Sequence, residues 1–285
     1  MLQMKTVTIN QQVLPAIGLG TWHIGDSEAT RSREIAALSA GLDAGATVID
    51  TAEMYGNGRS ERLVGEVLNQ RQRNDLYLVS KVLPENASVR QLPRSLDRSL
   101  EALNTDYLDL YLLHWRGNIP LAETVRAMEA AKKAGKIRAW GVSNFDVDDM
   151  QELLSVPDGD KVAVNEVLIN LQSRGTLFDL LPWQEKHHIP TLAYSPIAQG
   201  DTLGGNLANN ETLKSIAAAH HVSVFAIMLA WVIQLPDVLA IPESGTVDHA
   251  KENVAVADLV LSDEELTRIN TAFPKPTHKI PLAVI

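Results

Sequence analysis

The feature that most constrains this chain is an alternation, repeated along its length, of a short apolar run and a segment with helical periodicity. Apolar runs rich in β-branched residues occupy 47–51, 76–82, 108–114, 137–143, 162–168, 191–197 and 238–242, and the Gly-rich GLGT at 18–21 reads as a first strand. Between them, 30–44, 60–69, 89–103, 121–134, 146–155, 179–188 and 211–234 carry apolar residues at i, i+3, i+4 spacing. Strands that are apolar almost throughout suit a parallel sheet covered by helices. Such alternation leaves a doubly wound sheet or a closed barrel. Eight strand candidates and no sign of a second domain favour the α/β (β/α)8 TIM barrel. The opening segment KTVTINQQVLPAI reads as an N-terminal β-hairpin turning at Asn10-Gln11-Gln12, of a kind that could plug the barrel's N-terminal mouth. Asp146 and Ser262 read as helix N-caps, the second forming a capping box with Glu265.

The chain has 285 residues, and α/β barrels of ~250 residues run as one unit, so residues 1–285 read as a single barrel domain. The absence of cysteine excludes disulfides, thiolate-bound zinc and thiol catalysis. A formal charge of −10 removes the electrostatic drive toward nucleic acid or anionic membrane surfaces. The N-terminus lacks the apolar core of a signal peptide, and no stretch approaches the ~20 apolar residues of a membrane span. The expectation is a soluble cytoplasmic protein acting on a small molecule, as a monomer or small homo-oligomer, without nucleic-acid or membrane partners.

In a barrel the C-terminal ends of the strands converge on one mouth, where active sites are built. The run TVIDT brings Asp50 there, with Tyr55 in the loop that follows; LYLVSKV brings Lys81 and LDLYLLH brings His114. Taken singly, each has an ordinary reading: a solvated lysine, a capping aspartate, a core histidine, a packing tyrosine. Four at equivalent positions on three consecutive strands make a site. A free phenol titrates near ~10, too high for an effective acid at neutral pH. A neighbouring ammonium should lower that value, and a carboxylate should hold the ammonium in place. An imidazole beside the phenol can orient an oxygen that becomes negative. The set suits protonation of a carbonyl oxygen during hydride reduction, with no metal.

The runs GLGTW (18–22), DTAEMYGN (50–57), LVSKV (78–82), LLHW (112–115), GKIRAWGVSN (135–144), AYSPI (193–197) and IPESGTVDHAKEN (241–253) resemble the aldo-keto reductase family, specifically its bacterial, short-loop type. They come in family order and span residues 18–253. The resemblance implies a barrel that binds NAD(P)H extended across its C-terminal mouth without a GxGxxG motif. It makes Tyr55 the general acid, Lys81 with Asp50 the group that tunes it, and His114 the residue that orients the carbonyl. Ser143 and Asn144 would bind the nicotinamide carboxamide and Tyr194 would stack on the ring, within a cofactor wall that also includes Thr21, Trp22, Asp50, Glu166, Ser195 and Pro196. Trp22 and Trp115, with Tyr55 and His114, would line the substrate pocket. Ile241, Pro242, Glu243 and Ser244 would meet the adenosine end, with Glu252 and Asn253 near adenine.

Two positions depart from the family pattern. Glu166 stands where the family commonly has Gln; an ionised Glu can only accept hydrogen bonds, and its charge would favour the oxidised ring. Glu243 stands where the family's Lys meets the 2′-phosphate of NADPH. Two unit charges at ~4 Å repel by ~4 kcal/mol at an effective dielectric near 20. A carboxylate there can instead accept from a ribose 2′-OH. The expectation is therefore NADPH as family default with weakened preference, NADH being open to the site, unless His249 or Lys251 turns inward.

The loop after His114 and the tail after Phe273 are short, and 198–210 is Gly- and Asn-rich and expected to be mobile. An open pocket for small reactive aldehydes, dicarbonyls or keto-sugars follows. The rival readings are a non-catalytic cofactor-binding regulatory subunit of the same fold, and a different barrel enzyme with Lys81 as a Schiff base.

Overall fold

The computed structural model describes residues 4–198 and 207–285. Most of the loop expected to be mobile, residues 199–206, lies outside them. Strands β1 (Thr6–Ile9) and β2 (Gln12–Pro15) pair antiparallel. Ile9 pairs directly with Gln12, so the turn is Asn10-Gln11 alone, both at positive φ (46° and 66°). This is the two-residue turn whose twist matches flanking strands, and Gln12 belongs to the second strand rather than to the turn. Val7, Ile9 and Leu14 are buried beneath the hairpin, which leads into the N-terminal end of the first barrel strand.

Eight parallel strands follow: β3 (Leu19–Gly20), β4 (Val48–Asp50), β5 (Tyr77–Val82), β6 (Leu108–Leu113), β7 (Ile137–Ser143), β8 (Asn165–Leu168), β9 (Thr191–Tyr194) and β10 (Val238–Ile241). Each pairs with its sequence neighbours, and β10 returns to β3 through parallel bridges Ile17–Ala240 and Gly20–Glu243. Gly20 N donates to Pro242 O at 3.0 Å across this seam. A Cβ on Gly20 would stand 2.6 Å from the Ile241 carbonyl oxygen, so the approach that closes the barrel requires glycine here.

Outside run α1 (Arg31–Asp43), α2 (Arg59–Leu68), α3 (Leu92–Leu103), α4 (Leu121–Lys133), α5 (Val147–Ser155), α6 (Leu180–Lys186), α7 (Glu211–His220), α8 (Val224–Ile233), α9 (Val247–Ala255) and α10 (Asp263–Ala272). Every residue of β5 and β6 is buried, as strands sandwiched between a filled barrel and a helical layer must be. The continuous helical pattern at 211–234 is in fact two helices bent by 91°. His221 takes a left-handed conformation, and Ser223 Oγ accepts from Ala226 N at 3.1 Å to cap a new helix. The strand expected at 162–168 begins only at Asn165. Asp146 and Ser262 both cap as expected, and both form capping boxes, the first with Asp149. Among the described residues no single helix is long and apolar enough to cross a membrane.

Candidate active site

The C-terminal ends of the strands open into a cavity of about 480 Å³. Asp50 ends β4, and Tyr55 lies one short loop further on. There Gly56, Asn57 and Gly58 take successive positive φ values of 54°, 54° and 79°, turning the chain back into α2 and leaving the tyrosine ring inward. Lys81 lies on β5, fully buried under the floor. His114 follows β6, Ser143 ends β7, Glu166 lies on β8 and Tyr194 ends β9.

These side chains converge. Lys81 Nζ donates to Asp50 Oδ1 at 2.5 Å, to the Thr51 carbonyl at 3.1 Å and to Tyr55 Oη at 3.2 Å. Glu166 Oε1 stands 3.4 Å from the same ammonium. The His114 ring meets Tyr55 edge-on, centroids 5.8 Å apart. Asn144, held at a left-handed φ of 60°, donates from Nδ2 to the His114 carbonyl at 3.2 Å and accepts from Tyr194 Oη at 2.8 Å. Asparagine tolerates that backbone, and strained backbone of this kind gathers at functional sites.

Burial disfavours charge on Lys81, but Asp50, Glu166 and Tyr55 outweigh it, and the ammonium is held well above its usual range. Tyr55 differs from the expectation. Burial raises its hydroxyl above the ordinary phenol value; Lys81 pulls the other way, but Asp50 and Glu166 reinforce the rise. Two carboxyl groups beside one ammonium leave no net positive field to favour phenolate. Burial also pushes His114 down to about 3, with Lys81 adding to the effect, so the imidazole is neutral. Glu166 is pushed the same way: burial and then Asp50 raise its carboxyl well above the usual range, with Lys81 opposing.

The remaining expected residues divide cleanly. Thr21, Trp22, Trp115, Asn144, Ser195, Pro196, Ile241 and Glu243 line the same cavity as Asp50, Tyr55, His114, Ser143, Glu166 and Tyr194. Pro242, Ser244, Glu252 and Asn253 do not; Ser244 Oγ is used in the turn before α9, donating to Thr246 O at 3.1 Å. Glu243 bends back to the seam, where its Oε2 accepts from His23 N at 2.9 Å. Asp43, at the end of α1, is held low chiefly by its ion pair with Arg71, with Lys251 adding a smaller effect from α9. Arg33, on α1, reaches the turn instead: its Nη2 lies 3.8 Å from where a Cβ on Gly245 would be.

Sequence reasoning missed the Thr51 carbonyl, which no residue type signals, and Met54, Ile197 and Ile285, which line the cavity as ordinary apolar residues.

Asp50, Tyr55, Lys81 and His114 thus stand together at the C-terminal mouth of a (β/α)8 barrel, the face on which enzymes of this fold build their active sites. The aldo/keto reductase family model matches residues 16–273. Methylglyoxal reductase YeaE of Escherichia coli (strain K12) is 46% identical over 285 residues, covering 100% of both chains. Glyoxal reductase of Bacillus subtilis (strain 168) is 36% identical over 269 residues, 93% of this chain and 91% of its own. A crystal structure of an aldo-keto reductase from Klebsiella pneumoniae in complex with NADPH superposes with a TM-score of 0.97 at 48% identity, covering 99% of this chain and 100% of that one. The chain belongs to the aldo/keto reductase family and is an oxidoreductase.

Proposed function

We propose that this protein reduces small reactive aldehydes and dicarbonyls of the methylglyoxal and glyoxal type, using a nicotinamide cofactor as hydride donor. The observation that carries the reading is the contact of Tyr55 Oη with the fully buried Lys81 at 3.2 Å, at the floor of an open cavity. Relatives at 46% and 36% identity are named for methylglyoxal and glyoxal reduction. The nicotinamide fits the residues present. Tyr194 lines the cavity and donates from Oη to Asn144 Oδ1, Ser143 lines the same cavity, and Glu166 Oε2 is a buried acceptor without a partner.

The cofactor supplies a hydride to the carbonyl carbon. The chain does the rest. Tyr55 Oη gives its proton to the carbonyl oxygen, and Lys81 stabilises the phenolate left behind by charge and by its N–H. Asp50 fixes the ammonium beneath the phenol, and neutral His114 is a hydrogen-bond donor that orients the substrate oxygen. Trp22 and Trp115 wall the cavity on the substrate side and exclude water. Because Lys81 is fully buried and tied to three oxygens, it serves as a fixed charge rather than as a nucleophile.

At the adenosine end, Glu243 replaces a cation with a carboxylate, and selection for the 2′-phosphate is weakened. Steady-state reduction of methylglyoxal and glyoxal with NADPH and with NADH tests the whole reading. Turnover with a dicarbonyl is expected, with an NADPH preference smaller than about a hundredfold, less than 3 kcal/mol. Cofactor binding without turnover of any aldehyde would favour a regulatory subunit instead.

A further inference from the structure

One ammonium serves two carboxyl groups beneath the cavity. Lys81 Nζ lies 2.5 Å from Asp50 Oδ1 and 3.4 Å from Glu166 Oε1, and neither carboxylate is more than 2% exposed. The second oxygens, Asp50 Oδ2 and Glu166 Oε2, are buried and receive no donor, while the Glu166 carboxyl is within hydrogen-bonding reach of Asp50. With both groups ionised, the cluster would bury an uncompensated negative charge and leave two buried oxygens without a donor. A buried group in that position neutralises instead. A single proton on the pair removes the excess charge and supplies the missing donor.

We propose that Asp50 and Glu166 share one proton while the site is empty or holds reduced nicotinamide, and release it to solvent when oxidised nicotinamide binds. Glu166 is then the residue through which the site tells the two redox forms apart. The proposal rests on the nicotinamide reading above. Glu166 also lines the cavity, on β8, between Ser143 of β7 and Tyr194 of β9. A positive ring there balances the excess negative charge, so both carboxyls can ionise. A neutral, reduced ring does not.

The groups facing Glu166 leave the pair as the titrating element. Asp50 comes from β4, Tyr55 from the loop after it, Lys81 from β5 and Tyr194 from β9. Burial pushes both phenols up, so they keep their protons; His114, after β6, is held down to about 3 and has none to give. Lys81 remains charged. Ser143, on β7, does not titrate, and Glu243 is paired with His23 at the barrel seam. Burial and Asp50 support a proton on Glu166, with Lys81 opposing. Two carboxyls this close titrate as a pair.

Calorimetric titration of the full chain with NADP⁺ and with NADPH, at one pH in two buffers of different protonation enthalpy, counts the protons. The 2′-phosphate is common to both forms and cancels in the difference. NADP⁺ is expected to release up to one proton more than NADPH, and the ratio Kd(NADPH)/Kd(NADP⁺) to rise with pH by up to tenfold per unit. Glu166→Gln is expected to make the counts equal and the ratio flat. Equal counts in the unaltered protein, or a difference that persists in Glu166→Gln, would overturn the proposal. Should the variant fail to fold, the counts for the unaltered protein decide alone. If neither form binds, the nicotinamide reading falls first and this one with it.

Discussion

Lys81 Nζ stands 3.2 Å from Tyr55 Oη, yet the hydroxyl is harder to ionise than a free phenol, because burial and the carboxyls of Asp50 and Glu166 outweigh the ammonium. The lysine therefore does not make a resting phenolate. In the proposed mechanism its charge acts at the moment the proton leaves, stabilising the oxyanion formed. Tyr55→Phe keeps the ring and removes the proton. Turnover is expected to fall by about 10²–10⁴-fold while cofactor binding, followed by quenching of Trp22 and Trp115, changes little. Retained turnover would show that another group is the acid.

His114 gives a prediction in pH. Its folded-state value is held down to about 3, from an ordinary 6.5, first by burial and then by Lys81. The unfolded chain therefore binds this proton where the folded one does not. Stability should fall on acidification from about 6.5 toward 3 and be unaffected above that window. In His114→Asn the loss across that window should be shallower in urea unfolding. Parallel curves for the two proteins would refute a buried neutral imidazole.

The seam between β3 and β10 is the barrel's closure, and Gly20 permits it. In Gly20→Ala the new Cβ would meet the Ile241 carbonyl oxygen at 2.6 Å. The expected effect is destabilisation of ~1–3 kcal/mol or more, as for overpacking of a tight core, with a lowered thermal midpoint. An unchanged midpoint would mean that the seam opens without consequence.

The adenosine end carries the last prediction. Glu243→Lys removes a carboxylate from the cavity wall and restores a cation, so Kd for NADPH should fall about tenfold or more relative to NADH. Arg33→Ala should act in the opposite sense, since its guanidinium overlies the Ser244–Thr246 turn. Fluorescence titration with both cofactors measures each ratio. A ratio moved by neither variant would place the 2′-phosphate elsewhere.

Much of this was legible in the chain. Apolar runs alternating with helical periodicity predict an eight-stranded barrel, and Asp50, Lys81 and His114 ending successive runs predict a shared mouth, because a parallel barrel brings every strand end to one side. Periodicity cannot show a break where apolar spacing continues through it, so the bend between α7 and α8 stayed hidden; a left-handed His221 and the Ser223 cap decide it locally. Neither could it show which cation reaches the turn before α9.

The sequence alone determined the fold class, and residue type and position along the strand ends and their loops nominated Tyr55 as the proposed acid and Lys81 as its partner. Only the tertiary structure decided which charges gather around them. Glu166 is three strands round the barrel from Lys81, and nothing in the chain says that it meets the same ammonium as Asp50. Protonation is set by how many charges share one dry volume, and that number exists only after the strands have closed.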